Sequence, residues 1–304
     1  MTVTKHRPLL MAMLLLAAAC LLWAALLQAK QGGPPEGTPY AGSENCAACH
    51  EDLATSLKAT PHGQKAFEVR SAQGCEACHG PGTAHIDKEG DKSLIRSFKT
   101  MPSAEASQTC LQCHERGDHA LWVGSTHEQR NVGCTECHSV HHPISEKSQL
   151  KASREVALCS KCHPNIQAQI MRTSHHPVRE GLITCSDCHN PHGSNGPKLI
   201  GATTINEKCY ECHAEKRGPF LWDHPPVREN CVNCHTPHGS NFEKLLNAKR
   251  PYLCQRCHLD TRHPGTLYDA ANLPTSDRIL NRSCSDCHMN IHGSNHPSGW
   301  TFLR

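Results

Sequence analysis

Hydrophobic residues form one long continuous stretch in this chain, residues 9–27, which follows the basic residues Lys5 and Arg7. A basic start followed by an apolar run is typical of a secretion signal. We therefore predict that residues 1–29 are a signal peptide, cleaved after Ala29. The run of 19 residues would also be long enough to cross a bilayer if it were not cleaved, so an uncleaved anchor is the alternative.

Beyond this stretch the polar and apolar positions predict only short helices. Residues 51–58 and 165–173 suit helices that Pro61 and Pro177 should end, because proline cannot continue a helix. Segments rich in glycine, serine and proline, such as 191–197, are typical of loops. Alternation typical of strands is missing. The predicted fold class is therefore mostly loops and short α-helices, with little or no β-sheet.

The composition excludes an ordinary hydrophobic core. Apolar residues make up 37% of the chain and aromatic residues 4%. Without the signal and the cysteines, roughly a quarter of the remaining residues are apolar, against the usual ~45–50%. Something other than side chains must fill the interior. The formal net charge of +3 and the lack of a basic stripe with aromatic residues argue against a nucleic-acid partner.

The cysteines carry the main chemical signal. Twenty of the 21 cysteines form ten Cys-x-x-Cys pairs, and a histidine follows every pair directly. This is the attachment motif of c-type haem, in which two thiols bind the vinyl groups of one porphyrin and the histidine binds its iron. Structural zinc, disulfides and thioredoxin-like sites also use paired cysteines, but none of them requires a histidine after every pair. We predict ten haem c groups.

The predicted thioether cysteines are Cys46, Cys49, Cys75, Cys78, Cys110, Cys113, Cys134, Cys137, Cys159, Cys162, Cys185, Cys188, Cys209, Cys212, Cys231, Cys234, Cys254, Cys257, Cys284 and Cys287. The predicted proximal iron ligands are His50, His79, His114, His138, His163, His189, His213, His235, His258 and His288.

The remaining histidines predict the sixth iron ligands. The motifs form five consecutive pairs with a period of about 50 residues, and each pair has one histidine between its motifs and one after the second motif. The predicted distal ligands are His62, His85, His127, His141, His175, His192, His224, His238, His263 and His292. The alternatives within neighbouring histidines are His119 for His127, His142 for His141, His176 for His175, and His296 for His292.

The choice of His175 over His176 depends on a repeat. A shared Val-Arg-Glu sequence follows both His175 and His224, and it places these two histidines at the same position of their pairs. By the same reasoning His141 is preferred to His142. Methionine ligands could serve at most three irons, because only three methionines follow the signal. We therefore expect irons with two histidine ligands, low potentials and no open coordination site.

Several segments resemble the decahaem cytochromes of the MtrA/DmsE type: 74–86, 217–230, 234–241 and 287–299. The similarity covers residues 40–304 and all ten motifs in order. It implies an elongated periplasmic protein whose decahaem domain, residues 30–304, consists of two pentahaem halves, 40–170 and 171–304. It also implies an outer-membrane β-barrel porin, a periplasmic or inner-membrane electron carrier, and an outer-surface multihaem cytochrome or reductase as partners.

These features favour an electron carrier over an enzyme. Ten saturated haems suit a relay between the periplasm and the cell exterior, as in extracellular respiration or oxidation. A multihaem reductase would need an iron with a vacant site, yet all ten motifs end in histidine and the candidate ligands exceed the demand. A soluble periplasmic shuttle serving a reductase is the other alternative. The sequence leaves open the direction of electron flow, the terminal partner, the individual potentials and the order of the haems in space.

Overall fold

The computed structural model describes residues 33–66, 74–259 and 283–303. The predicted signal peptide and His263 lie outside these ranges. In the described part of the chain the regular structure consists of short helices and isolated β-bridges, with no strand. The predicted fold class, mostly loops and short helices, is thereby confirmed for these residues.

The α-helices have four to nine residues each. They are α1 Ser43–Cys49, α2 Glu51–Lys58, α3 Glu76–His79, α4 Thr83–Asp87, α5 Ser103–Leu111, α6 Thr126–Gln129, α7 Cys134–Cys137, α8 Glu155–Cys159, α9 Pro164–Ile170, α10 Ile205–Tyr210, α11 Pro225–Glu229 and α12 Tyr252–Gln255. The 3-10 helices are Lys92–Leu94, Gly117–His119, Lys147–Gln149, Cys185–Asp187, Pro197–Leu199, Ala214–Lys216, Cys231–Asn233, Glu243–Leu245, Cys284–Asp286 and Gly299–Thr301, and His62–Ala66 is a π-helical turn.

Helix α2 has the predicted bounds, whereas α9 ends three residues earlier than predicted. The chain leaves α9 to form a β-bridge, in which Ser174 N donates to Ser240 O at 3.0 Å and Ser240 N donates to Ser174 O at 2.7 Å. The Arg172 side chain also donates to Gly239 O at 3.4 Å. This tertiary contact, which no local pattern could predict, ends the helix before Pro177.

The described residues form two compact units. The first comprises the described residues up to Glu115 together with Arg130–Lys151, and it holds motifs one to four. The second comprises Arg116–Gln129 and the described residues from Ala152 onward, and it holds motifs five to ten.

The predicted halves, 40–170 and 171–304, divide the chain differently from these units and stay a prediction about the arrangement of the haems. Neither unit has an extensive apolar core. Eight apolar residues of the described ranges are buried, and three of them are alanines. None of the helices in these ranges has the length and hydrophobicity needed to cross a membrane.

Candidate haem-binding sites

Every motif adopts the same helical turn. In all ten, the backbone N–H of the histidine donates to the carbonyl oxygen of the first cysteine at 2.8–3.1 Å. This single turn brings two sulfurs and one imidazole together, which is the arrangement that a covalent haem requires. The thiols of the structure stand for the thioether sulfurs of the haem-bearing protein.

The first cysteines of the two motifs in each pair lie side by side. In all five pairs the two Sγ atoms are close enough to share a hydrogen bond. These contacts join Cys46 with Cys75, Cys110 with Cys134, Cys159 with Cys185, Cys209 with Cys231, and Cys254 with Cys284. The contact lowers the pKa of the Cys231 thiol to about 7, because the Cys209 thiol donates to it.

The second cysteines connect one pair to the next within each unit. Their thiols are near enough to interact electrostatically in three places: Cys78 with Cys113, Cys188 with Cys212, and Cys234 with Cys257. The attachment points therefore follow the order of the sequence within each unit, from motif one to motif four and from motif five to motif ten.

Eight motif histidines face a second histidine across a gap of constant width. The ring centroids lie 5.8–6.4 Å apart. A metal–nitrogen bond of about 2 Å plus about 1 Å to the ring centre separates two imidazoles on opposite sides of one metal by about 6 Å. The opposed pairs are His50 with His85, His114 with His62, His79 with His141, His163 with His127, His213 with His176, His189 with His238, His258 with His224, and His235 with His292.

The opposed histidines interlock consecutive pairs of motifs. The histidine between two motifs faces the first motif of the following pair, as His62 faces His114. The histidine after a pair faces the second motif of the preceding pair, as His238 faces His189. His85 is the exception and faces His50 within its own pair. Sequence reasoning found these histidines but did not assign them to motifs, because the assignment depends on the folded chain.

At the doublet His175–His176 the geometry favours the alternative histidine, His176. His176 faces His213 at 6.3 Å, and its Nδ1 donates to Pro237 O at 2.7 Å. The His175 ring instead bonds Arg172 O through Nδ1 at 2.6 Å and Glu180 through Nε2 at 3.1 Å. We therefore propose His176 as the distal ligand in place of His175.

The other neighbouring histidines have separate contacts. His142 Nδ1 lies 3.0 Å from Ser56 Oγ, while His141 faces the motif histidine His79, and its role as a distal ligand stays a prediction. His296 Nδ1 accepts a hydrogen bond from Ser298 N at 3.1 Å. His192 lies beside His119, with centroids 4.2 Å apart. The assignment of His192 as a distal ligand stays a prediction, as does that of His263.

In every pair of motifs, a hydrogen bond to a backbone carbonyl orients the histidine that belongs to the second motif. Since a carbonyl can only accept, Nδ1 of each ring donates, and Nε2 is left to bind iron. These bonds run from His79 to Arg96 O, His138 to Ser148 O, His189 to Lys198 O, His235 to Lys244 O, and His288 to Thr301 O. His85, His127 and His176 make the same type of bond.

Three of the accepting carbonyls belong to left-handed residues. Ser148, Lys198 and Lys244 have φ values of 55–58°, and the residue after each also has a positive φ. Such a conformation is costly for residues with a Cβ. Its recurrence at the same position of three pairs indicates that the turn is retained because it aims the carbonyl at the histidine.

Burial keeps several of the opposed imidazoles neutral, as metal binding requires. Burial lowers the pKa of His141, His224 and His238. Burial, helped by the charge of Lys216, lowers the pKa of His292 to about 4. The residues present therefore fit axial ligation of haem iron.

A polar side chain holds the two motifs of a pair together. In three pairs the residue three positions before the first motif accepts a hydrogen bond from the first cysteine N–H of the second motif. These bonds run from Cys75 N to Ser43 Oγ at 3.1 Å, from Cys134 N to Ser107 Oγ at 3.4 Å, and from Cys231 N to Asn206 Oδ1 at 2.8 Å. Sequence reasoning missed this clasp, although its constant spacing before the motif was a usable signal.

Replacing the clasp residue of the fourth pair, Asn206→Ala, should destabilise the protein. Asn206 is buried, and its Nδ2 also donates to Val227 O at 2.9 Å and Arg228 O at 3.1 Å. We expect the free energy of unfolding to fall by about 1–3 kcal/mol for each buried group left unpaired. Chemical unfolding followed by haem absorption measures this loss.

The matched control is Asn233→Ala, because Asn233 is exposed and donates one bond to Pro226 O at 3.2 Å. Its removal should cost less than the removal of Asn206. Equal losses for the two variants would contradict a special role of the buried clasp.

Short helices, repeated Cys-x-x-Cys-His turns and opposed histidines define a multihaem c-type cytochrome. A multihaem cytochrome, MtrA of Shewanella baltica (strain OS185), is 40% identical over 85% of this chain and 80% of its own length. The chain belongs to the family of MtrA-type multihaem cytochromes, which are electron-transfer proteins, and it binds haem c.

Two family models match parts of the chain. The doubled CXXCH motif matches residues 175–218 and 224–263, and the NrfB-like cytochrome c-type protein matches residues 75–162. In each doubled segment a histidine at the beginning faces the histidine of the second motif: His176 faces His213, and His224 faces His258. Each segment that matches the doubled CXXCH motif thus contains one opposed pair, formed by a histidine before its first motif and the histidine of its second motif.

Two further proteins show weaker similarity. The high-molecular-weight cytochrome c of Nitratidesulfovibrio vulgaris (Hildenborough) is 27% identical over 51% of this chain and 27% of its own length. An undecahaem cytochrome from the S-layer of Carboxydothermus ferrireducens is 22% identical, covers 76% of this chain and 32% of its own, and has a TM-score of 0.14. That structural likeness is too weak to argue from.

Proposed function

We propose that this protein is a relay of ten bis-histidine haems that carries electrons between the periplasm and the cell exterior, within an outer-membrane β-barrel porin. The observation that carries this proposal is the order of the attachment points. Within each unit, the cysteines of consecutive motifs are near enough to interact electrostatically or by hydrogen bonds. A unit that places its attachment sites in one continuous series suits conduction from one end of that series to the other.

Haem iron supplies a reversible one-electron couple when it is bound. The chain's own residues determine where that couple sits. The paired cysteines fix neighbouring attachment points, and the opposed histidines would hold eight of the sites from two sides. The carbonyl bonds to Nδ1 keep the imidazoles in one orientation.

The opposed histidines also support a carrier over a reductase. A reductase needs one axial position that substrate can reach, whereas both sides of the eight described sites have an imidazole. For the two remaining sites we propose His192 and His263, from the sequence repeat, as the distal ligands.

The proposed partners follow from the MtrA resemblance. They are the porin, a periplasmic or inner-membrane cytochrome as one redox partner, and an outer-surface multihaem cytochrome or reductase as the other. Export to the periplasm would depend on the predicted signal peptide, residues 1–29.

The proposal is tested by reconstitution into liposomes that hold an internal electron acceptor. Intact mass should first show that the preparation carries ten haems. With the porin and the cytochrome together, an external reductant should reduce the internal acceptor. The cytochrome alone and the porin alone should leave the acceptor oxidised.

Two results would overturn the conduit. Conduction by the cytochrome without the porin would show that it needs no sheath. If the porin and the cytochrome together fail to conduct, with ten haems present, the soluble periplasmic shuttle would be the better interpretation.

A further inference from the structure

The charge beside the paired first cysteines differs from one motif pair to another. A carboxylate lies there in the first and third pairs, Glu76 and Glu155. The second and fourth pairs have the uncharged Ser107 and Asn206 at their junction. The fifth pair has a cation, Arg250. These residues occupy different sequence positions, but each lies near the first cysteines of its pair, so together they form a graded series of local charge.

Glu76 is the strongest member of the series, because its side chain is buried although it is charged. The residue is 3% exposed. Its Oε1 accepts hydrogen bonds from Ala41 N at 2.8 Å and Gly82 N at 2.7 Å, and its Oε2 accepts one from Gly42 N at 2.9 Å. All three partners are donors, which is the environment of an ionised carboxylate. Burial, the neighbouring Cys75 and the Glu76 charge together raise the pKa of the Cys46 thiol.

Glu155 has the corresponding role in the third pair but is only half-buried. Its carboxylate accepts from Ser186 N at 2.8 Å and from Ser186 Oγ at 2.7 Å. A hydrogen bond from Cys159 lowers the pKa of the Cys185 thiol, while burial and the Glu155 charge oppose this effect. The negative charge therefore acts on this pair too, with more screening by solvent.

Arg250 supplies the opposite charge at the fifth pair. Its side chain is 26% exposed, and it donates to Ser285 Oγ within the tenth motif. Its other nitrogen lies 3.3 Å from a carboxylate oxygen of Glu243, whose side chain is 79% exposed and hence well screened. Burial and Cys284 raise the pKa of the Cys254 thiol to about 11, and the Arg250 charge opposes them.

A fixed charge near a redox centre shifts its reduction potential. Reduction adds one negative charge, so a nearby carboxylate disfavours it and a nearby guanidinium favours it. The effect is largest where burial limits screening.

We propose that these junction charges order the reduction potentials of the motif pairs: the first pair lies below the second, and the potential rises from the third through the fourth to the fifth. The inference rests on the proposed occupation of all ten motifs by haem. At partial reduction, electrons would then collect toward the later pairs of each unit.

The test is a spectroelectrochemical titration of the purified haem-bearing protein and its Glu76→Gln variant. At a fixed applied potential, the ratio of reduced to oxidised haem should rise about tenfold at the first pair, which is 59 mV for a one-electron couple. Because two of ten haems are affected, the change should involve about a fifth of the total absorbance change. The Glu136→Gln variant is the control, since this exposed glutamate lies within the fourth motif.

A second substitution separates charge from shape. Glu76→Asp keeps the charge while loosening the three backbone contacts, so its titration should stay close to that of the parent protein. Equal shifts for Glu76→Gln and Glu76→Asp would show a purely structural clamp and overturn the proposal. An unchanged titration for Glu76→Gln would overturn it as well.

The fifth pair provides an independent experiment. It tests the proposal even if the Glu76→Gln variant cannot be produced with its haems attached. Arg250→Gln should lower the potential of about two haems, and Arg250→Lys should restore it. No shift, or an upward shift, for Arg250→Gln would refute the charge series. These measurements use the cytochrome without a porin, so they test the order of the potentials separately from the proposed conduit. The conduit proposal could fail while the potentials keep the proposed order.

Discussion

The same chain produced without haem attachment should not fold. The buried apolar residues of the described ranges are few, and Leu57, Trp122, Ile170, Leu246 and Phe302 are the larger ones among them. Burial of apolar surface is the main force that opposes the conformational entropy of the chain. Since side chains provide so little of it here, porphyrins must provide the rest, and each covalent attachment also restricts the unfolded state as a disulfide does.

The measurement compares the exported, haem-bearing protein with the same polypeptide made without haem attachment. Far-ultraviolet circular dichroism should show a cooperative transition for the first and a featureless response for the second. Limited proteolysis should degrade the second at every exposed segment. A cooperative unfolding transition in the haem-free chain would contradict the view that haem forms the core.

The helical turn of each Cys-x-x-Cys-His motif was predictable from sequence because the chemistry of the motif is local. Two sulfurs and one imidazole within five residues need only one helical turn, and all ten motifs adopt it. The short helix α2 was predictable for the same reason, because the residues that form it and the Pro61 that follows lie close together in the chain.

The pairing of distal histidines was less accessible, because it depends on distant segments. His62 faces His114, 52 residues later, and His127 faces His163, 36 residues later. The regular spacing revealed that such histidines exist, but only the folded chain assigns each of them to a motif.

Electrostatic features were the least accessible. The motif CEACH does not show by itself that Glu76 is buried, whereas Glu136, one position later in CTECH, is exposed. The difference comes from Ala41, Gly42 and Gly82, whose backbone N–H groups converge on Glu76 from two other segments. Burial and convergence of this kind are properties of the fold rather than of the sequence pattern.

The substitution His176→Ala should open one iron of the protein. About a tenth of the haem should become high-spin and bind carbon monoxide, because the imidazole that faces His213 is removed. Optical and electron paramagnetic resonance spectra measure the high-spin fraction, and carbon monoxide titration counts the open sites. The sequence repeat favours His175 for this position, so the experiment decides between the repeat and the folded structure.

The control is His175→Ala, which should leave all haems low-spin. Both nitrogens of His175 already have partners, Arg172 O and Glu180. The His175 ring would have to break both bonds to replace His176 at the iron, so we expect it to stay in place. The double variant should therefore match His176→Ala in its high-spin fraction. If His175→Ala opens the iron while His176→Ala does not, the alignment of His175 with His224 is the better guide. A double variant with an open iron, when neither single change opens one, would show that the two histidines replace each other.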